Sequence, residues 1–461
     1  MKAWEIELDI RRNAKPVILT SEEQTWDSYK KTCVEEDSKL RLLWNSNVPG
    51  SHAPERVIIG AVQSVYNMGY ETSNSDSLVL DGIKAVSNDD IYELYKITTK
   101  LLANINNADK IKGHPYWDYT QYDSFDQYLN AVDFKELKSY DINSNDFEDK
   151  TYAAWIGQIV AGALGTAIEG YTTERIIEKF GIITGYVREP NTYNDDITYE
   201  LAFLKAFEKF GNNVTSIEIS EEWVALIPAG WSAEDIALKN LKLGIYPPMS
   251  GYLNNPYREW IGAQMRGVIC GMVAPGNLKM AAQLAWKDAV ISHHNNGVFG
   301  EVFNAIMASY AYIEKDIRII VEESINLIPK DSEYYSIIKL ALDLCKEYTS
   351  WETPWSICEE KFKEYNWIHA YPNAAAQVIA LWFGNGNFDK TMTIIAMEGQ
   401  DVDCNAAQIA TIVAVAKGRQ CINKEKWIDP IGDELNTYMR TMETLSINEL
   451  CKWTVQCTRK A

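Results

Sequence analysis

Residues 151–169 read TYAAWIGQIVAGALGTAIE, and the chain changes character where they begin. Apolar residues run through the segment without a polar face, and Gly157, Ala161, Gly162 and Gly165 supply small positions. A helix of this composition lets a second backbone or a ligand approach closely. The preceding stretch, 106–148, is polar and aromatic, with HPYWDYTQYDSFDQY and SYDINSNDFEDK. It reads as a linker holding one or two short helices. The expected organisation is an N-terminal extension over 1–149, mostly helical, and a main domain over 150–461.

Apolar residues recur every three to four positions in several further segments, the period of a helix with one buried face. They are 55–68, 88–105 (with Asn88 and Asp89 as caps), 196–210, 277–291, 299–322, 371–383 and 404–417. Strand signals are brief, at ILTSE (18–22) and over 181–187. The predicted fold class is all-α.

Composition narrows the function. The chain has 461 residues, 46% hydrophobic and 23% charged, with a net charge of −20. Such an acidic surface repels phosphate backbones, which argues against nucleic-acid and anionic-membrane partners. The eight Cys contain no CxxC pair, so free thiols in a reducing compartment are expected. No apolar leader and no run of about 18 apolar residues is present. The expectation is a soluble, cytoplasmic protein. The 15 Trp and 26 Tyr exceed what a core ordinarily uses, so some are expected to line a pocket.

Two acidic runs carry the candidate chemistry: Asn194-Asp195-Asp196 and Asp401-Val402-Asp403, each at the head of a predicted helix. An Asp in that place is ordinarily an N-cap, worth about 0.5–2 kcal/mol. Two pairs of carboxylates brought together would instead hold hard divalent cations such as Mg²⁺, Mn²⁺ or Ca²⁺. On the residues alone both readings stand. Glu169 follows the small-residue helix, where it faces either solvent or a cavity. In SHHNNGVFGE (292–301), His293 reads as a hydrogen-bonded core residue, and Gly297 and Gly300 suggest backbone close to a ligand. In PPMSGYLNNPYREWIGAQMRG (247–267), Tyr252, Tyr257 and Trp260 are candidates to stack on a flat ring. Arg266 is a candidate partner for a phosphate or for a buried acid. No GxxxxGK[ST], GxSxG, HExxH or GxGxxG motif occurs.

In their order, these motifs resemble the ADP-ribosylglycohydrolases, over roughly residues 150–461. GQIVAGALGTAIE is similar to the family's opening GxxxGDALGxxxE helix, and YNDDITYEL to its TDDT run. RGVICGMVAPGNLKMAAQLAWKDAVISHHNNG is similar to the middle segment, and MEGQDVDCNAA to the closing GxDxDT run. The DCN ending, with SHHNNGVFGE, resembles a divergent bacterial branch. The resemblance implies a compact orthogonal helical domain holding two divalent cations, Mg²⁺ or Mn²⁺. It implies Asn194, Asp195, Asp196, Asp401, Asp403 and Cys404 as metal ligands. It further implies Glu169, Asp401 and Asp196 as the catalytic carboxylates, and His293, Gly297 and Phe299, joined by Trp260 and Arg266, as substrate-binding residues. Three positions depart from the family pattern: Gly162 stands for its Asp, Asn194 for its first Thr, and Cys404 for its closing Thr. Cys404 is a soft ligand that suits Mg²⁺ poorly, and Asn405 is the alternative oxygen donor.

The implied activity is metal-dependent hydrolysis of a ribosyl glycosidic bond at the anomeric carbon, of an ADP-ribosyl adduct. Two alternatives remain: a hydrolase of a free small riboside or nucleotide, and a non-catalytic ADP-ribose or nucleotide binding protein. Pocket shape discriminates between protein-linked and free substrates, with residues 1–149 a lid or an oligomerisation arm.

Overall fold

The computed structural model describes residues 1–461, except for the side chains of residues 27 and 28. The architecture is all-α, as the sequence predicts. Its strands form two short antiparallel pairs, Ser46–Asn47 with Pro54–Glu55 and Glu434–Asn436 with Thr444–Ser446. At the centre, helix Asn145–Gly165 packs along helix Val402–Lys417. Every residue is buried from Ala153 to Gly165 in the first and from Val402 to Ala416 in the second. A helix apolar on all sides belongs inside a bundle, and these two are surrounded by Asp196–Phe210, Asn296–Ala311, Ala370–Gly384 and Ile447–Lys460. Among the described residues no helix is long and apolar enough to cross a membrane, and all eight cysteines are free.

Several elements differ from expectation for identifiable reasons. The small-residue helix begins earlier, where the Ser144 hydroxyl accepts from the Phe147 N–H, and it ends at Gly165, leaving Glu169 in the turn beyond. The helix expected over 88–105 runs Ile91–Asn106, capped by Asp90 instead of Asn88 or Asp89. The single helix expected over 299–322 is two, Asn296–Ala311 and Ile317–Ile325. Asp316 breaks it by capping the second piece through the Arg318 and Ile319 N–H groups. ILTSE and 181–187 are not strands. Alternation alone does not make a strand without a neighbour to complete its ladder, and neither segment has one.

The expected division at 149/150 falls inside helix Asn145–Gly165, and residues on both sides of it join one hydrophobic core. The linker stretch holds two short helical pieces, Pro115–Asp118 and Phe125–Ala131. The extension is fastened by buried polar bonds. Tyr116 donates to Glu259 Oε1 at 2.7 Å, and the Asn295 side chain joins Gln121, the Tyr122 N–H and Glu259. Asn295 of SHHNNG thereby ties the extension to the helical core.

Candidate active site and metal centre

The two acidic runs meet. Asp195 and Asp401 are the N-cap residues of helices Asp196–Phe210 and Val402–Lys417, yet neither side chain accepts a capping hydrogen bond. In the first run the Asn194 side-chain oxygen accepts the Asp196 N–H at 2.7 Å. In the second, Asn373 accepts the Asp401 N–H. Neither carboxylate is spent on its helix, so both are left to turn elsewhere. Cys404 joins the runs, its Sγ lying 3.2 Å from Asp196 Oδ1 across 208 residues of sequence.

Gly165 sets the approach of the two central helices. A Cβ there would stand 2.2 Å from the Cα and N of Asp403. Gly162 is explained together with Asn194, whose amide nitrogen is 2.9 Å from where a Gly162 Cβ would be. The amide occupies the space that a longer side chain at 162 would claim. Just after the helix, Glu169 reaches the carboxyl of Asp403. A turn through Gly399 and Gln400, both at positive φ, delivers the second run.

Glu169, Asp195, Asp401, Asp403 and Cys404 line one cavity of about 640 Å³, and Asp196 sits one layer deeper, fully buried. Burial raises the Glu169 carboxyl well above its usual range, and the charges of Asp403, Asp401 and Asp195 raise it further. Burial and then Asp403 do the same to Asp196 and Asp401. Asp195, open to the cavity, is raised to about 7 by its enclosed setting and by Asp403. Carboxylates this close cannot all ionise without a compensating charge. Asp196 Oδ2, Asp401 Oδ1 and Asp403 Oδ1 are buried without a hydrogen-bond partner among the described residues. Asp401, Asp403 and Cys404 place donor atoms within 4.8 Å of one another. Buried carboxylates with unpartnered oxygens fit a divalent cation, whose charge reverses the local repulsion. Asn405 does not present its oxygen there, because that atom accepts from Gln377 at 3.1 Å.

The other expected site residues lie behind the cavity wall. Trp260 is fully buried, packed on Tyr257 and against Gly60, so its ring is not open for stacking. Phe299 belongs to a cluster with Tyr122, Tyr128 and Trp286. Gly297 permits contact with the Arg258 backbone. His293 bonds Ser292 at 2.7 Å and is held neutral by burial and by Arg266. Arg266 takes the acidic-core alternative. It pairs with Glu234 at 2.9 Å and with Asp288, and Glu301 lies 3.6 Å away. Burial opposes its charge, but Asp288, Glu301 and Glu234 outweigh that and raise its pKa.

Through this pair Arg266 still reaches the cavity, because Glu234 lines it. Glu234 is one of several wall residues that the sequence motifs did not reveal. Glu55, from the extension, accepts from Trp231 Nε1 at 2.9 Å and from Ser46 at 3.2 Å. Tyr199 and Tyr438 complete that side. Tyr199 lies within the first acidic motif, whereas no local pattern marks Glu55, Glu234 or Tyr438, which enter the wall from separate parts of the chain.

A family described as ADP-ribosylglycohydrolase matches residues 143–458 of the 461. A solved structure titled "ADP-ribosylglycohydrolase-related protein complex" is 15% identical with a TM-score of 0.49, over 68% of this chain and 99% of that chain. No curated protein matches. The family match covers more than half the chain and includes both helices that carry the converging acids, so the chain belongs to the ADP-ribosylglycohydrolase family.

Proposed function

We propose that the protein hydrolyses the glycosidic bond at the anomeric carbon of an ADP-ribosyl adduct, in the cavity where the two acidic runs meet. The observation that carries this reading is the set of buried, unpartnered carboxylate oxygens on Asp196, Asp401 and Asp403. Asp195, Asp196, Asp401, Asp403 and Cys404 would hold two divalent cations, with Mg²⁺ or Mn²⁺ suiting the oxygens. Cations held there supply the charge that fixes ribose hydroxyls and acidifies a water.

The chain's own residues do the rest. Bond cleavage at the anomeric carbon builds positive charge on the ribose ring. The carboxylates of Asp195 and Asp401 face the cavity and stabilise that charge. Glu169, paired to Asp403, holds a proton on its carboxyl that it can pass to the leaving group, and once ionised it can accept one from water. Residues 46–50 and Glu55 of the extension wall one side and restrict water. Arg266 fixes Glu234 in the wall.

The wall favours a second reading, hydrolysis of a free small riboside. Among the described lining residues only Arg188 carries positive charge, which is little for a diphosphate. The extension's presence at the wall also narrows access for a protein side chain.

The test is a screen of ADP-ribosylated peptides against free nucleosides and nucleotides, with Mg²⁺ or Mn²⁺, following released ADP-ribose or ribose. Release from peptides alone removes the second reading, and release from nucleosides alone removes the first. Asp401→Ala and Asp196→Ala should each abolish hydrolysis with the fold retained by circular dichroism. Full activity in EDTA would end the metal-dependent mechanism.

A further inference from the structure

We propose that Cys404 makes this centre selective for a thiophilic divalent cation, of the chemical class of Zn²⁺ or Co²⁺, over Mg²⁺. The inference rests on the metal-binding reading of the cavity and replaces the hard cation named there with a thiophilic one.

Cys404 is not a core cysteine that happens to lie nearby. Its sulfur is 3.2 Å from Asp196 Oδ1, and it shares a 4.8 Å cluster with the carboxylates of Asp401 and Asp403. Zinc binds thiolate at about 2.3 Å and carboxylate oxygen at about 2.0–2.2 Å. Two such ligands on one ion, at angles of about 90–109°, stand about 3.1–3.6 Å apart. In the structure the Cys404 thiol donates to Asp196 Oδ1 at 3.2 Å, within the spacing that a thiolate and a carboxylate would keep on one such ion.

The carboxylates supply an independent indication that an ion belongs there. Asp401 and Asp403 are 5% and 3% exposed, and each keeps one buried oxygen without a partner among the described residues. The nearest oxygen alternative to the thiol is committed elsewhere, because the Asn405 side chain is bonded to both Gln377 and Asn373. The donor set is therefore carboxylate oxygens plus one sulfur. Hard Mg²⁺ gains little from sulfur, whereas Zn²⁺ and Co²⁺ accept it readily.

The full-length protein is stripped of metal and titrated calorimetrically with Zn²⁺, Co²⁺, Mn²⁺ and Mg²⁺, and the Co²⁺ form is read by absorption. Binding at least about tenfold tighter for Zn²⁺ than for Mn²⁺ is expected, together with a near-ultraviolet sulfur-to-cobalt charge-transfer band. Cys404→Ser should lose the band and most of the Zn²⁺ preference while keeping Mg²⁺ affinity within about threefold. Loss of the band in the variant also excludes the other seven cysteines as its source. Co²⁺ bound without the band, or a band surviving in Cys404→Ser, overturns the proposal and leaves the metal centre standing. Absence of binding by all four cations overturns the metal centre itself. Should Cys404→Ser not fold, Cys404→Ala is read for the same loss of the band.

Discussion

Gly165→Ala is a small change with a sign that the structure fixes. In an ordinary helix the substitution stabilises by up to ~1 kcal/mol, because alanine loses less backbone entropy. Here the new Cβ would lie 2.2 Å from both Cα and N of Asp403. Carbon–carbon contact is comfortable from about 3.5 Å, so the helices Asn145–Gly165 and Val402–Lys417 must part by about 1.3 Å. The obstacle is backbone in the buried central helix pair, and no rotamer relieves it. Overpacking of this kind costs about 1–3 kcal/mol. Taking ~3 for a backbone clash and returning ~1 for propensity leaves a net loss of ~2 kcal/mol. For a chain of this size that is a fall in Tm of about 2 °C. The functional effect is larger, because metal ligands tolerate displacements of only about 0.2 Å and Asp403 moves with its helix. Mn²⁺ affinity should drop more than about tenfold, equivalent to ~1.4 kcal/mol. Differential scanning calorimetry with and without Mn²⁺ measures both effects. A variant more stable than wild type with undiminished Mn²⁺ binding would refute the close-packing argument.

Removing one charge from the acidic centre, with Asp401→Asn, should raise the Tm of metal-free protein and weaken Mn²⁺ binding more than about tenfold; a lower metal-free Tm would count against carboxylate repulsion there. Arg266→Met leaves Glu234, Asp288 and Glu301 buried together without their cation. It should cost about 3–5 kcal/mol in urea unfolding, and an unchanged midpoint would show that the network is not needed. Glu333 has its carboxyl raised to about 7 by burial and by Glu259, above an unfolded value of about 4.3. Its folded pKa is the higher one, so its contribution is intact below pH 4 and is lost as pH rises to 7. Glu333→Gln should therefore match wild type at pH 4 and exceed it in Tm above pH 7. An equal Tm difference at both pH values would exclude that linkage.

Helix content was legible because it depends on local periodicity. Residues 196–210 formed the expected helix in full, and 371–383 missed the observed Ala370–Gly384 by one residue at each end. Helix ends were less legible, because they turn on single side chains. Asp316 and Asp90 stop or start helices through hydrogen bonds that periodicity does not register. The acidic runs were visible as motifs, but their freedom from capping was not. That depended on how the folded chain turns each side chain, which its place at a helix head does not settle.

The substrate-facing wall was the least legible part. Glu55 meets Trp231 across 176 residues, and Arg266 faces inward only because three acids converge on it. By itself the sequence determined the all-α class and the family resemblance and marked the candidate carboxylates, since these follow from local pattern and residue chemistry. Only the tertiary structure decided which oxygens remain unpartnered, which expected site residues lie behind the wall, and that the extension enters the cavity. Burial and hydrogen-bond satisfaction depend on contacts between distant segments, and no local spacing encodes them.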